Sequence, residues 1–217
     1  MRDLRVISSP GFLPYEETLE QQMKRVDELL STKETPYVCH FLEHAHVLTK
    51  GRSFEEKHIL EDESQLKADG VEILEVSRGG SVTYHGPGQL VVYLHIHLKE
   101  LEIYLTQYLR DLEQWVIDAL GDFDIDAGRR DGMTGVWVSQ GKICAMGVAA
   151  KKYVTYHGIG LNVATNMDGF NWIVPCGLEG QAVASLDKVC DDKPTRQQVE
   201  LSLLKHMPRW MEKLNQI

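Results

Sequence analysis

The chain has 217 residues, 43% of them hydrophobic and 25% charged, enough for one well-filled core or two small ones. Its formal charge of -9 argues against non-specific nucleic-acid binding, which needs a basic surface. No apolar run follows Met1-Arg2-Asp3-Leu4-Arg5, and no stretch approaches the ~20 apolar residues that span a bilayer, so a protein without signal peptide or membrane anchor is expected, resident in the cytoplasm.

Residues 15–33 read as an amphipathic helix, with Leu19, Met23, Val26, Leu29 and Leu30 at helical spacing and Pro14 ahead of them. A buried strand follows at 37–42, and 44–49 extends or pairs with it. Residues 51–63 are charged and irregular, 63–69 form a short helix closed by Gly70, and 71–76 form a strand. Residues 89–98, rich in Val, Leu, Ile and Tyr, form another strand. A second helix spans 101–120, with Leu105, Tyr108, Leu112, Trp115 and Val116 on its apolar face. Residues 123–126 alternate like an exposed strand, and Arg129-Arg130-Asp131 reads as a charged loop. A hairpin joins 135–138 to 142–148 through Ser139-Gln140-Gly141. The β pattern continues on both sides of His157-Gly158, 168–173 form a short helix, and a third long helix covers 195–214, interrupted near Pro208. Helices and strands do not alternate regularly. The expectation is one α+β domain over residues 1–217, with a mixed or antiparallel sheet core and flanking helices.

The stretch Ser77-Arg78-Gly79-Gly80-Ser81-Val82-Thr83-Tyr84-His85-Gly86-Pro87-Gly88-Gln89-Leu90-Val91-Val92-Tyr93 concentrates chemistry. Gly79-Gly80 frees the backbone for positive φ and for close approach to a ligand. Gly86-Pro87-Gly88 makes a second turn. A flat ligand tail or carbonyl could lie along this backbone, with Arg78 and His85 at its rim. The histidines at 40, 44, 46, 95 and 97 match no known zinc spacing, so no metal is expected.

Cys39, Cys144, Cys176 and Cys190 are far apart and form no CxxC pair, so they read as reduced thiols. Cys39 and Cys144 lie in strands, and Cys190 sits among acidic residues that disfavour a thiolate. Cys176, between Pro175 and Gly177, is an accessible loop thiol. Lys142 opens a strand; an ammonium beside a thiol lowers its pKa from about 8.5 and increases its nucleophilic fraction.

Taken together, Arg78-Gly79-Gly80, Thr83-Tyr84-His85-Gly86-Pro87-Gly88-Gln89, Gly135-Val136-Trp137, Lys142-Ile143-Cys144-Ala145, Tyr156-His157-Gly158, Leu161-Asn162-Val163 and Pro175-Cys176-Gly177 stand in an order that resembles the octanoyl-[acyl-carrier-protein]:protein N-octanoyltransferases. The resemblance implies a domain similar to the catalytic domains of biotin- and lipoate-protein ligases. It implies Cys176 as nucleophile, Lys142 as its partner, and acyl-pocket walls from Arg78, Gly79, Gly80, Ser81, Val82, Thr83, Tyr84 and His85, from Ala145, Met146 and Gly147, and from Gly158, Ile159 and Gly160. It implies no cofactor. Donor and acceptors would be octanoyl-acyl carrier protein and the lipoyl domains of 2-oxoacid dehydrogenase complexes and the glycine cleavage H protein, served by a monomeric enzyme. Gly160 departs from the family pattern, where alanine is usual. Such acidic partners would need a basic patch, for which Arg129, Arg130, Lys142, Lys151 and Lys152 are the contributors. An ATP-dependent lipoate-protein ligase and a non-catalytic acyl- or carrier-binding module are the alternatives.

Overall fold

The computed structural model describes residues 2–175, 180–208 and 210. Its ten strands, among the described residues, fall into two sheets. The larger contains β1 (Leu4–Leu13), β2 (Tyr37–His44), β6 (Gln89–His95), β7 (Gly128–Arg130), β8 (Met133–Val138), β9 (Gly141–Lys151) and β10 (Val154–Asn162), in the order β1-β2-β6-β10-β9-β8-β7. Only the β1–β2 pairing is parallel; every other neighbour is antiparallel. The smaller sheet holds β3 (Val47–Lys50) between β4 (Glu72–Glu75) and β5 (Val82–His85). The α+β architecture expected from the sequence is therefore present.

Strand alternation makes the two-sided packing. In β6, Leu90, Val92 and Leu94 enter the main core, which also takes Trp115, Val116 and Leu120 from α3 (Leu105–Gly121) and Val199 and Leu203 from α5 (Arg196–Lys205). Val91 and Tyr93 point to the other side, towards Leu42 and Leu13. Helix α1 (Tyr15–Ser31) lies on β6 and β10. The Trp115 indole N–H donates to the Leu203 carbonyl at 2.6 Å, which ties α3 to α5. The small sheet has its own core, in which Leu48, Val82 and Tyr84 meet Leu66 of α2 (Glu63–Ala68), Phe170 and Ile173.

Two expectations need correction. Residues 123–126 are not a strand: Asp124 has φ 57°, which breaks an extended run, while Phe123 and Ile125 pack against the main core. The strand is instead β7, where a charged loop was expected. The second helix starts at Leu105 because residues 101–104 form a turn containing Glu102 at φ 57°. The last helix is interrupted ahead of Pro208 as expected: it runs from Arg196 to Lys205 with His206 as its C-cap, Trp210 is helical again, and residues 211–214 lie outside the described residues.

Glu113 of α3 is a hub near the site. Its side chain is 1% exposed, and its carboxylate accepts from Arg110 at 2.7 Å, Arg129 at 2.9 Å and the Gly135 N–H at 3.0 Å. It thereby fixes the start of β8 against α3.

Candidate active site

The two sheets face each other across a cleft of about 460 Å³. On β5, Thr83 and His85 line it, preceded by Ser81, whereas Val82 and Tyr84 turn into the small sheet's core. The stretch expected as a pocket wall is thus split by strand alternation. Arg78, Gly79 and Gly80 continue the wall, and Ala145, Met146, Gly147, Gly158, Ile159 and Gly160 form the opposite side with Tyr15, Tyr93 and His157. The Gly79 N–H donates to the Val148 carbonyl at 3.1 Å, stitching the two sheets together and leaving that N–H occupied. Gly80 has φ 84°, the left-handed region where glycine carries no steric penalty. A Cβ at Gly147 would sit 2.7 Å from the Arg78 Cδ, so only glycine admits the arginine stem there.

Arg78 is 5% exposed and is held from below rather than at a rim. Its Nε donates to the Thr49 hydroxyl at 3.0 Å, Nη2 to the Thr49 carbonyl at 2.6 Å, and Nη1 to the Gly79 carbonyl at 3.0 Å. This geometry shapes the Gly79-Gly80 turn.

A second cavity adjoins the cleft through Thr83, Ala145 and Gly160, and is lined further by Gln89, Trp137, Lys142, Asn162, Phe170, Pro175 and Val183. Lys142 is 7% exposed; its Nζ donates to the Thr134 carbonyl at 3.1 Å and sits 4.8 Å from the centre of the Trp137 ring. The backbone clamps it as well: Lys142 N–H donates to Ala182 and Lys142 C=O accepts from Ala184, both at 2.9 Å. Cys176 lies outside the described residues. Its neighbour Pro175 shares the cavity wall with Lys142, and Ala182, downstream, is bonded to Lys142. An open groove on the other side of Met146, lined by Leu105, Leu109, Met133, Thr134 and Lys142, also reaches the lysine.

The buried imidazoles have a single dominant cause for their behaviour. Desolvation lowers His44 to about 4 and His85, His95 and His157 each to about 3; His85 is lowered further by His44. Groups this weakly basic are hydrogen-bonding elements at neutral pH rather than general bases. They also predict acid sensitivity. Each is neutral when folded and has a pKa near 6.5 when unfolded, so the unfolded chain binds more protons below that pH. Stability is full above about pH 6.5 and falls as pH drops towards 4 and 3, at up to ~1.4 kcal/mol per pH unit for each histidine. Thermal unfolding between pH 7 and pH 5 should show a steep decline in melting temperature; a flat profile would contradict these buried neutral rings.

The proposed basic patch is not assembled. Arg129 is committed to Glu113 and to Gln114 at 2.9 Å, and Arg130 lies 4.2 Å from the Trp137 ring centre. Lys151 pairs with Asp27 of α1 at 2.7 Å, at the far end of the eleven-residue β9 from Lys142. At ~3.3 Å per residue that strand holds the two lysine sites about 30 Å apart.

Tyr15 and Thr49 join the site without having been picked out from the sequence, whereas Tyr93, at the end of the glycine-rich stretch, and Trp137, in Gly135-Val136-Trp137, lay in marked stretches but were not assigned to the site. Among the described residues no group of three or more His, Cys, Asp or Glu is arranged to hold a metal, and no helix is long and apolar enough to cross a membrane.

The chain matches the lipoyl protein ligase A/B catalytic domain over residues 14–208. It is 43% identical to the octanoyltransferase of Cytophaga hutchinsonii over 178 residues, covering 79% of this chain and 73% of that protein. It is 37% identical to the octanoyltransferase of Flavobacterium johnsoniae over 204 residues, covering 91% and 88%. The bi-partite lipoate protein ligase of Thermoplasma acidophilum shares the fold, with a TM-score of 0.71 at 16% identity over 99% of this chain and 91% of that one. So does the biotin protein ligase of Aquifex aeolicus, with a TM-score of 0.55 at 16% identity over 98% and 72%. Two opposed sheets with a cleft between them, in this company, define a lipoyl protein ligase A/B catalytic domain. Within that class the chain belongs to the octanoyltransferase family, and it is an enzyme.

Proposed function

We propose that this enzyme carries an octanoyl group from octanoyl-acyl carrier protein to a lysine of lipoyl-domain proteins, by way of a thioester on Cys176. The observation that supports this most is the continuity of the cleft with the cavity that Lys142 shares with Pro175, the chain neighbour of Cys176. The cleft would take the acyl chain; at ~0.8 kcal/mol per buried methylene, eight carbons supply about 5 kcal/mol.

In the first step the Cys176 thiolate attacks the carrier thioester, a new C–S bond forms as the carrier's C–S bond breaks, and the carrier thiolate leaves with a proton from the Lys142 ammonium, which becomes the neutral amine used in the second step. One thioester replaces another, so no ATP is needed. In the second step the amine of the target lysine attacks the acyl-enzyme, the C–S bond breaks, and an amide forms. Lys142 stabilises the thiolate in the first step and accepts the amine proton in the second. Since Gly79 N–H is bonded to Val148, the oxyanion must be held by other donors. His85 and His157 act as neutral hydrogen-bonding groups along the cleft. The glycine cleavage H protein and the lipoyl domains of 2-oxoacid dehydrogenases are the proposed acceptors. We take residues 1–217 as a single, monomeric catalytic domain. The unpaired Cys39, Cys144 and Cys190 support a reducing compartment, the cytoplasm.

The test is transfer from octanoyl-acyl carrier protein to a lipoyl domain without nucleotide. Amide formation is expected under those conditions. Product appearing only with free octanoic or lipoic acid and ATP would replace the reading with a ligase.

A further inference from the structure

The cavity that Lys142 shares with Pro175 is walled in part by Trp137, a buried donor without an acceptor. Trp137 is 3% exposed, and its indole N–H has no hydrogen-bonding partner among the described residues. An indole nitrogen donates and never accepts. A donor buried without a partner costs stability, so one kept in a cavity wall calls for a ligand atom to complete it. The side-chain oxygens of the same wall are turned to other donors. Gln89 Oε1 lies 2.6 Å from His85 Nδ1, Asn162 Oδ1 accepts from Gln89 Nε2 at 2.9 Å, and Gln181 Oε1 accepts from Arg130 Nη1 at 3.1 Å.

The strands set this ring against the reacting groups. The register of β8 on β9 pairs Trp137 directly with Lys142, skipping Ile143, so the two side chains stand on one face of the sheet. Lys142 Nζ lies 4.8 Å from the ring centre, and the Arg130 guanidinium carbon 4.2 Å from it. Two cations on one indole raise the positive potential around its N–H, which favours an acceptor that gains negative charge. Both half-reactions make such an acceptor. Attack by the thiolate and attack by the amine each turn the acyl carbonyl into a tetrahedral oxyanion, on the same oxygen.

We propose that the Trp137 indole N–H is an oxyanion donor: it hydrogen-bonds the carbonyl oxygen of the transferring acyl group, most strongly as that oxygen takes up charge. This rests on the acyl-transfer reading, and it supplies a donor where the Gly79 N–H is already bonded to Val148.

Benzothienylalanine placed at position 137 alone keeps the bicyclic ring and puts sulfur in place of the N–H. Single turnovers read acylation by octanoyl-acyl carrier protein and transfer to a lipoyl domain separately, with the melting temperature measured beside them. Each half-reaction should slow by roughly a hundredfold, as for the loss of one oxyanion donor. KM for the carrier should change by less than about threefold, since the bond matters most in the transition state. The melting temperature should not fall, because the N–H removed has no partner in the free protein. Trp137→Phe also lacks the N–H and should slow both steps likewise. Rates near those of the parent in either variant would overturn the donor. So would a melting temperature that falls with the rates in the sulfur variant, which would make the N–H a part of the fold. If the parent itself forms amide only from free acid and ATP, the transferase reading fails, and the donor for thioester chemistry fails with it.

Discussion

Lys142→Ala is expected to lower kcat for octanoyl transfer by about a thousandfold, within the 10²–10⁴ range of a positioned proton acceptor. The substitution removes the Nζ that borders both the acyl cavity and the open groove. It leaves in place the backbone bonds from Lys142 to Ala182 and Ala184, so the 182–184 segment should stay where it is. Lys142→Arg should rescue little. A guanidinium can pair with a thiolate but does not accept a proton at accessible pH. Single-turnover measurements separate the two roles: the arginine variant should acylate faster than the alanine variant, and both should transfer to the acceptor lysine slowly. Near-wild-type turnover in either variant would remove Lys142 from the chemistry.

Glu113→Ala is expected to lower unfolding stability by about 3 kcal/mol, the lower part of the range for breaking a buried charge cluster, because Arg110 and Arg129 keep partial access to water. Part of that loss comes from the Gly135 N–H, which would be left buried without an acceptor. Glu113→Gln keeps an acceptor for that N–H and should lose less. The substitution should also reach function, since Gly135 is the residue after Thr134, whose carbonyl receives the Lys142 Nζ. Denaturant titration with an unchanged m-value reads the stability loss. A change below about 0.5 kcal/mol would show that the cluster is dispensable.

The main helices and the inner strands were legible because their apolar residues recur at periods of 3.6 and 2 and because they end in buried faces. The first strand was not. Leu4–Leu13 exposes most of its side chains and contains Ser8-Ser9-Pro10-Gly11, which reads as a loop; it is a strand only because its backbone pairs with β2. Residues 123–126 erred the other way, since two half-buried side chains, Phe123 and Ile125, flanked by exposed residues mimic alternation. At the site, the glycine-rich stretch was readable from composition, but the division of its side chains was not: whether Val82 or Thr83 faces the cleft depends on the register of β5 against β3. Tyr15 and His157, 142 positions apart, meet because α1 lies on β6 and β10, and neither carries a local mark of that contact. The five cations proposed as one patch do not share one surface: Arg130 and Lys142 both lie on the Trp137 ring, whereas the length of β9 carries Lys151 away from them.

A covalent octanoyl-enzyme on Cys176 would be visible by intact mass. The protein would be incubated with octanoyl-acyl carrier protein beside Cys176→Ala, and the adduct then challenged with a lipoyl domain. One octanoyl adduct is expected on the parent, absent from the variant, released by hydroxylamine and chased into amide on the lipoyl domain. Amide product formed at full rate by Cys176→Ala, with no adduct on the parent, would contradict it.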